Sequence, residues 1–334
     1  MIKEVFDTLR ENEVTALNDK KKNTILLGLI VLVIAIVCIV FNACFEGRFL
    51  SKDNLNILVS HAIIPTFTAW GMCFVFACDY TDMSIGSILI LAANMAGILG
   101  STALGYPGIV IGGIATGMAL MTINFLIFVY TKIPSWIAGI GMAMVYESIA
   151  FFYSSQQLAK GSSIAQLTSE MRKLARPPYI YIIFALGLVA AYIIYNRTEI
   201  GLNIRALGNG VKLSESMGIK TAKTIIGVGL ICGFFVGCSA FLNESYSARI
   251  NAKTGLTSLS MIFQPMAAYM LAQVLHTKIN IIIGIPLCSL FVYGIFNMLT
   301  FLGVPSGTLQ EAVLGVIVIV FGILAQRKET KVVK

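Results

Sequence analysis

The sequence predicts an all-α integral membrane protein with about ten transmembrane helices. Of its 334 residues, 57% are hydrophobic and only 12% are charged, whereas a soluble domain has about 25% charged residues. The chain also contains about ten apolar runs close to the roughly 20 residues that a helix needs to cross a bilayer. Short polar breaks join these runs, so no separate soluble domain fits into the remainder.

The predicted membrane domain covers residues 24–326. Its ten predicted spans are residues 25–44, 54–77, 84–104, 107–130, 134–153, 179–195, 224–242, 257–275, 280–301 and 310–326. The polar stretch 1–23 precedes a long apolar run and is interpreted as a cytoplasmic tail rather than a cleaved signal peptide. Residues 327–334 form the corresponding C-terminal tail.

The distribution of charge predicts the orientation. With the N-terminus in the cytoplasm, the cytoplasmic segments hold sixteen of the 24 basic residues, the asymmetry that the positive-inside rule describes. Both termini then lie in the cytoplasm. The fifth span, which Glu147 interrupts, is the one most open to being re-entrant. In that case the number of membrane crossings is no longer even, and the two termini do not lie on the same side.

A polar segment at 196–221, NRTEIGLNIRALGNGVKLSESMGIKT, separates the sixth and seventh spans and is predicted to be cytoplasmic. Within it LSESM can form one amphipathic turn, because Leu213 and Met217 stand at i and i+4. Gly208, Gly210 and Gly218 can relax the backbone at the ends of that turn. From the residues alone, an ordinary solvated loop is equally open.

Two spans carry closely spaced small residues, which let membrane helices approach one another. They are Gly108, Gly112, Gly113 and Gly117 in the fourth span and Gly227, Gly229, Gly233 and Gly237 in the seventh. Packing alone explains such faces, and sliding during a transport cycle is the alternative.

Polar side chains at membrane depth are costly and tend to face a bundle interior or a wet cavity. The candidates are His61, Asn94, Asn124, Glu147, Gln264, Gln273 and Asn297. For each amide, two roles are open: an interhelical hydrogen bond, or a place in the lining of a transport path. His61 is expected to be solvated at the outer surface. Glu147 is expected near the outer mouth of a central cavity, or else in a structural pair.

Asp82 is expected beside the cytoplasmic interface, where it can cap the third span. It lies two residues before Ser84 and can accept from the N–H groups of the first turn.

Several function classes are excluded by what the sequence lacks. It contains no G-x-x-x-x-G-K-[ST] loop for nucleotide phosphates, no H-E-x-x-H and no G-x-S-x-G. The seven cysteines lie in or beside apolar runs without metal or redox spacing. The net charge of +8 is not taken as a sign of nucleic-acid binding, because the distribution of the charges along the chain is explained by the membrane topology. We therefore expect no covalent chemistry and no cofactor in this chain.

Five motifs in register across residues 49–319 resemble the ribose-type permease subunits of ABC importers. FLSKDNLNIL (49–58) and WGMCFVFACDYTDMSIGS (70–87) are similar to the family's F-x-x-x-N-L-x-N-I and its G-M and D-L-S-x-G-S turn. IPSWIAGIGM (133–142) resembles I-P-x-F-I-A-T-L-G-M. TEIGLNIRALG with MGI, and GIFNMLTFLGVPSGTLQEAVLGVIV from Gly294, complete the set.

The resemblance implies a mechanism and a set of partners. Two permease subunits would form the path in the bacterial inner membrane, two ATPase subunits would bind ATP and Mg²⁺, and an extracytoplasmic sugar-binding protein would deliver the cargo. The 196–221 segment becomes a coupling element whose helix docks on the ATPase. Its expected contact residues are Ala206, Leu207, Gly208, Leu213, Ser214, Glu215, Met217 and Gly218.

Two further groups of residues follow from the resemblance. The path between the two permeases would be lined in part by Asn124, Glu147 and Asn297. The loops 154–178 and 243–257 would receive the binding protein, through charges that steer its docking. Those charges are Lys160, Arg172, Lys173, Arg176, Arg249 and Lys253.

Departures from the family pattern fall on interfaces. The glycine-rich turn after the eighth span is replaced by AQVLHTKINIIIG (272–284), Arg-Gly by Glu147-Ser148, and Gly-Asn by Asn209-Gly210. These changes suggest pairing with a second, more typical permease, although a homodimer stays open. The alternatives to a monosaccharide importer are a nucleoside importer, an ion-driven carrier or a non-transporting sensory subunit.

Overall fold

The fold is seen in a computed structural model that describes residues 36, 38–159, 167–168, 170–247, 253–276, 278–304 and 307–329. The predicted N-terminal tail 1–23, most of the first predicted span and residues 330–334 of the predicted C-terminal tail (327–334) lie outside these ranges. So do Lys160 and Arg249, two of the predicted docking residues.

From Lys52 onward the described chain forms eleven α-helices. They are α1 (Lys52–Ala77), α2 (Ile85–Gly100), α3 (Gly105–Thr131), α4 (Ser135–Ala159), α5 (Tyr179–Arg197), α6 (Glu199–Gly208), α7 (Val211–Ser216), α8 (Thr221–Ser247), α9 (Ser260–Leu275), α10 (Ile281–Phe301) and α11 (Thr308–Glu329). Two 3₁₀ turns, Met171–Ala175 and Thr257–Leu259, precede α5 and α9. The predicted all-α class is confirmed for the described residues.

Seven helical stretches of the described chain are long and apolar enough to cross a membrane. These are Lys52–Ala77, Gly105–Thr131, Ser135–Gln156, Tyr179–Arg197, Thr221–Ser247, Thr257–Leu275 and Ile281–Phe301. The fifth predicted span is thus one continuous helix despite Glu147. The third is shorter than predicted, since α2 has only 16 residues, and the count of ten spans stays a prediction.

The chain divides into two units, the first ending at Leu55 and the second beginning at Asn56. In the N-terminal unit residues 38–44 are helical, and a turn leads from them toward α1. The Leu50 N–H donates to Asn42 Oδ1 (2.8 Å), and Asn54 Nδ2 donates to the Phe49 carbonyl (2.7 Å). These two asparagines therefore satisfy backbone groups of the turn.

Aromatic side chains from α1 and α8 fill the centre of the second unit. Trp70 is fully buried and donates its indole N–H to the Ile282 carbonyl at 2.9 Å. Phe74 stacks on Phe235 with ring centroids 5.8 Å apart. A tryptophan needs a partner for its N–H when it is buried, so this bond fixes α10 against α1.

Helices α3 and α8 meet backbone to backbone along four glycines. A methyl group on Gly117 would lie 2.6 Å from the Gly233 carbonyl oxygen, and one on Gly233 would lie 2.5 Å from the Gly117 oxygen. Gly113 and Gly237 repeat this relation one turn away, with 2.9 and 2.6 Å. Two glycines from each of the two faces noted in the sequence thus pair with each other, and we call this contact the glycine seam. Gly108 and Gly112 instead lie against the backbone of α2.

The connections between helices collect at two ends of the second unit. At the α6–α7 end, the Thr81 N–H donates to Ser135 Oγ (3.1 Å) and Asn280 Nδ2 donates to Asn196 Oδ1 (2.9 Å). At the opposite end, the Tyr106 hydroxyl donates to the Glu170 carbonyl at 2.6 Å. The predicted orientation assigns the α6–α7 end to the cytoplasm.

We expect Gly233→Leu to prevent close packing of α3 on α8, since a side chain there collides with backbone rather than with a flexible side chain. Overpacking of this kind costs about 3 kcal/mol. The measurement is the apparent melting temperature of the detergent-purified protein, which fluorescence-detected gel filtration monitors.

Gly315→Leu on α11 is the matched control, because a methyl group built at Gly315 has no atom of another described helix within 4 Å. Equal melting temperatures for the two variants would show that the glycine seam does not hold the bundle together.

Candidate functional site

The segment between α5 and α8 folds as two helices, where the sequence predicted one. Thr198 precedes α6, and its hydroxyl accepts the Gly201 N–H at 3.3 Å. Ile204 and Leu207 are buried and Ala206 is half-buried. The spacing of Ile200, Ile204 and Leu207 is a helical pattern and could have revealed α6.

Gly208 has a different role from the predicted one. It is the last residue of α6, and a methyl group there would collide with the Ala77 carbonyl oxygen at the end of α1. Gly210 (φ +135°) and Gly218 (φ +81°) do adopt the positive φ angles that favour glycine. Thus Gly208 permits close contact between α6 and α1, whereas the other two glycines set the ends of α7.

Helix α7 presents apolar side chains outward. Leu213 is 55% exposed and Met217, just after the helix, is 59% exposed. On the inner side Ser214 is buried, and its hydroxyl donates to the Gly210 carbonyl at 3.0 Å. Glu215 accepts a hydrogen bond from the Thr221 hydroxyl (3.2 Å), which ties α7 to the start of α8.

A cavity of about 680 Å³ lies beside α7, between the 79–81 turn, the 132–136 loop and the start of α8. Phe128 and Trp136 contribute apolar walls, and Asp79, Lys132 and Glu215 contribute charges. Together with the exposed face of α7, this cavity makes the α6–α7 end a surface with both apolar and charged contact groups.

Asp82 is buried at the start of α2. It is 3% exposed, and its Oδ1 accepts the Ser84 N–H (2.8 Å) at the start of α2. Its Oδ2 accepts from Asn124 Nδ2 (3.1 Å), which also bonds the Ser84 hydroxyl. The Tyr146 hydroxyl completes the network by donating to Asn124 Oδ1 at 2.8 Å.

Glu147 is buried and bonded to backbone. Its two oxygens accept the N–H groups of Leu256 (2.8 Å) and Ser258 (2.6 Å), just before α9 begins. A methyl group on Gly86 would collide with the Ser258 carbonyl oxygen, so the start of α9 lies against α2. The sequence left two roles open for Glu147, a place at the mouth of a cavity and a structural contact. These hydrogen bonds form a structural contact.

The remaining predicted site residues are spread over both ends. Asn297 is half-buried on α10. Lys173, Arg176 and Lys253 are exposed near the opposite end, whereas Arg172 is half-buried and donates to the Tyr246 carbonyl at 3.0 Å. Asn124 and Glu147 belong to two separate hydrogen-bond groups in this structure.

Two other polar candidates have distinct surroundings. His61 was expected to be solvated, but its Nε2 bonds the Tyr246 hydroxyl and its ring stacks on Tyr293 at 5.0 Å. Asn94 is buried, and neither of its amide atoms has a hydrogen-bond partner within the described ranges.

Comparisons with known proteins identify relatives over most of the chain. The family described as branched-chain amino acid transport system / permease component matches residues 54–322. The autoinducer 2 import system permease protein LsrC of Salmonella paratyphi B is 23% identical over 281 residues, covering 82% of this chain and 79% of its own. No solved structure matches the chain.

Two sugar permeases are similar at the same level. The galactose/methyl galactoside import permease protein MglC of Haemophilus influenzae is 22% identical, covering 78% of this chain and 82% of its own. The fructose import permease protein FrcC of Rhizobium meliloti is 24% identical, covering 61% of this chain and 60% of its own.

The apolar helical bundle and these matches define a multi-pass protein of the bacterial inner membrane that serves as a transport permease. The chain belongs to the branched-chain amino acid transport system / permease component family. The three relatives named above are import permeases for autoinducer 2, galactose/methyl galactoside and fructose.

We expect Glu147→Gln to loosen the start of α9. The amide keeps one acceptor oxygen but turns an NH₂ group toward the second backbone N–H, so one charge-assisted bond is lost. Such bonds contribute about 1.5–3 kcal/mol. The apparent melting temperature, and uptake normalised to folded protein, should both fall.

Ser148→Ala is the control, because Ser148 is exposed and its hydroxyl bonds only the Met144 carbonyl of the same helix. Unchanged stability and uptake in Glu147→Gln would refute both the anchoring role and a role at the mouth of a path.

Proposed function

We propose that this chain is the transmembrane subunit of an ATP-driven importer for a monosaccharide or a related small polar solute. A soluble binding protein delivers the solute, and the path opens alternately to the two sides. The observation that carries the proposal is the exposed apolar face of α7, with Leu213 and Met217 outward at the end of the bundle to which the basic residues assign the cytoplasm. Exposed apolar patches of this kind mark interaction sites.

ATPase subunits are the partners that this face fits. The chain has no phosphate-binding loop of its own, so ATP and Mg²⁺ belong on a separate subunit. Docking on α7 and in the adjoining cavity would place the ATPase against the 79–81 turn, two residues from Ala77, where Gly208 packs. A displacement of the ATPase then acts on α1 and on the start of α2 together.

We assign the transport path to the interface between two permease subunits. Asn297 is a candidate for its wall, whereas Asn124 and Glu147 hold the helix starts that flank it. Lys173, Arg176 and Lys253 are exposed and suit the docking of a binding protein. The altered turn at 272–284 supports a heterodimer over a homodimer. The test is purification through a tag on this chain: two different permease polypeptides indicate a heterodimer, and a single one indicates a homodimer.

The relatives support a sugar or furanose signal as cargo, and the family description also names branched-chain amino acids. The test is uptake into vesicles that contain both permeases, the ATPase and the binding protein. ATP-dependent accumulation of labelled galactose, fructose or autoinducer 2 is expected. If only a nucleoside or only leucine accumulates, the proposed sugar cargo is wrong. If uptake does not require ATP, the proposal of an ATP-driven importer is wrong.

The exposed face of α7 gives a sharper prediction. We expect Leu213→Asp combined with Met217→Asp to reduce copurification of the ATPase at least about tenfold, since two apolar side chains lose their buried contact on the partner. The melting temperature of the isolated permease should stay unchanged, because both side chains are already exposed.

Lys212→Gln is the matched control, as it changes the charge of an exposed neighbour on the same helix. If Lys212→Gln removes the ATPase equally, or if the double variant retains it, docking through the apolar face of α7 is wrong.

A further inference from the structure

A cavity of about 260 Å³ opens at the end of the bundle opposite α6 and α7. It lies between the start of α1, the turn Met171–Ala175 and the end of α8. The residues that give it its character are Asn56, Ile57, Ser60, Arg172, Arg176 and Tyr246. Arg172 and Arg176 both line this space, and none of its described lining residues carries a carboxylate.

Arg172 is fixed in position. Its Nη2 donates to the Tyr246 carbonyl at 3.0 Å, and its Nε is buried without a hydrogen-bond partner in the described part of the chain. A charged group held this way keeps its orientation beside the cavity. A buried donor without a partner in a native protein also calls for an explanation.

The other polar lining groups are neutral. The Asn56 Oδ1 is engaged, because it accepts a hydrogen bond from the Tyr181 hydroxyl at 3.2 Å. Arg176 is exposed and supplies the second guanidinium. Arginine pairs well with phosphate because its N–H groups match two oxygens at once, so the chemistry of this cavity favours a phosphate over a neutral sugar.

The apolar side chains around the cavity indicate that this phosphate belongs to a lipid. Ile57 lines the cavity and is 51% exposed, and Tyr179 and Ile182 on α5 are exposed as well. These side chains belong to membrane-crossing helices, where exposed apolar groups meet acyl chains. Tyrosines are enriched at both membrane–water interfaces, and a guanidinium group at that level can pair with the phosphate of a lipid headgroup.

We infer that this cavity binds the phosphodiester headgroup of an anionic phospholipid, with the acyl chains along Ile57 and α5. This site is separate from the proposed transport path and does not depend on the identity of the cargo. By bridging α1, α8 and the turn before α5, the headgroup neutralises Arg172 and Arg176.

The test is native mass spectrometry of the detergent-purified permease, titrated with phosphatidylglycerol, with phosphatidylcholine of the same chains, or with inorganic phosphate. We expect preferential binding of phosphatidylglycerol and a loss of about fivefold in its affinity in Arg176→Gln. Arg172→Gln should show a similar loss. Arg176→Gln decides the matter, because the Arg176 side chain is exposed and the fold should therefore survive its replacement, as the melting temperature will show.

Lys173→Gln is the matched control, since Lys173 is exposed and adjacent to Arg172 but does not line the cavity. Equal binding of the two lipids, or an equal loss in Lys173→Gln, would overturn the proposal. Full occupancy by inorganic phosphate in competition with lipid would assign the site to a free anion. If Arg176→Gln weakens only association with the binding protein, the charge serves docking instead.

Discussion

The contact of α3 with α8 without intervening side chains is the constraint on which the arrangement of the other helices depends. In lipid, helices gain little from burying apolar surface against each other, so close van der Waals packing must hold them. The glycine seam provides it over two turns. Phe241 and Phe125 pack close to this contact, since a methyl group on Gly113 or Gly229 would lie 2.8 Å from the Cβ atom of Phe241 or Phe125, respectively.

This contact also positions the polar interior. Asn124 lies on α3, seven residues beyond Gly117, and reaches Asp82 and Ser84 at the start of α2. A helix start inside a membrane protein leaves N–H groups that water does not satisfy, and each costs several kcal/mol. Asp82 and Glu147 resolve this at α2 and α9, where their carboxylates accept backbone N–H groups and suit the positive end of each helix dipole.

The all-α class, the long spans and the apolar face of α7 could be predicted from the sequence, since each rests on a local pattern of hydrophobic residues. What could not be predicted is which distant patterns meet. The glycines of α3 and α8 are identifiable one helix at a time, but their pairing is a tertiary property. The same holds for Glu147, whose partners are backbone groups more than 100 residues away, and backbone groups carry no sequence signal.

The turn between α9 and α10 shows how a departure from the family pattern can be compensated. The family's glycine-rich turn has few side chains with which to make contacts, whereas this chain has Asn280. Its Oδ1 accepts the Ile282 N–H at 3.0 Å and so caps α10, while its Nδ2 donates to Asn196 at the end of α5. One side chain thus joins the divergent turn to the helix that leads into α6. Since α6 in turn packs on Ala77 through Gly208, the segment from the end of α5 through α6 is in contact with both α1 and the turn that begins α10.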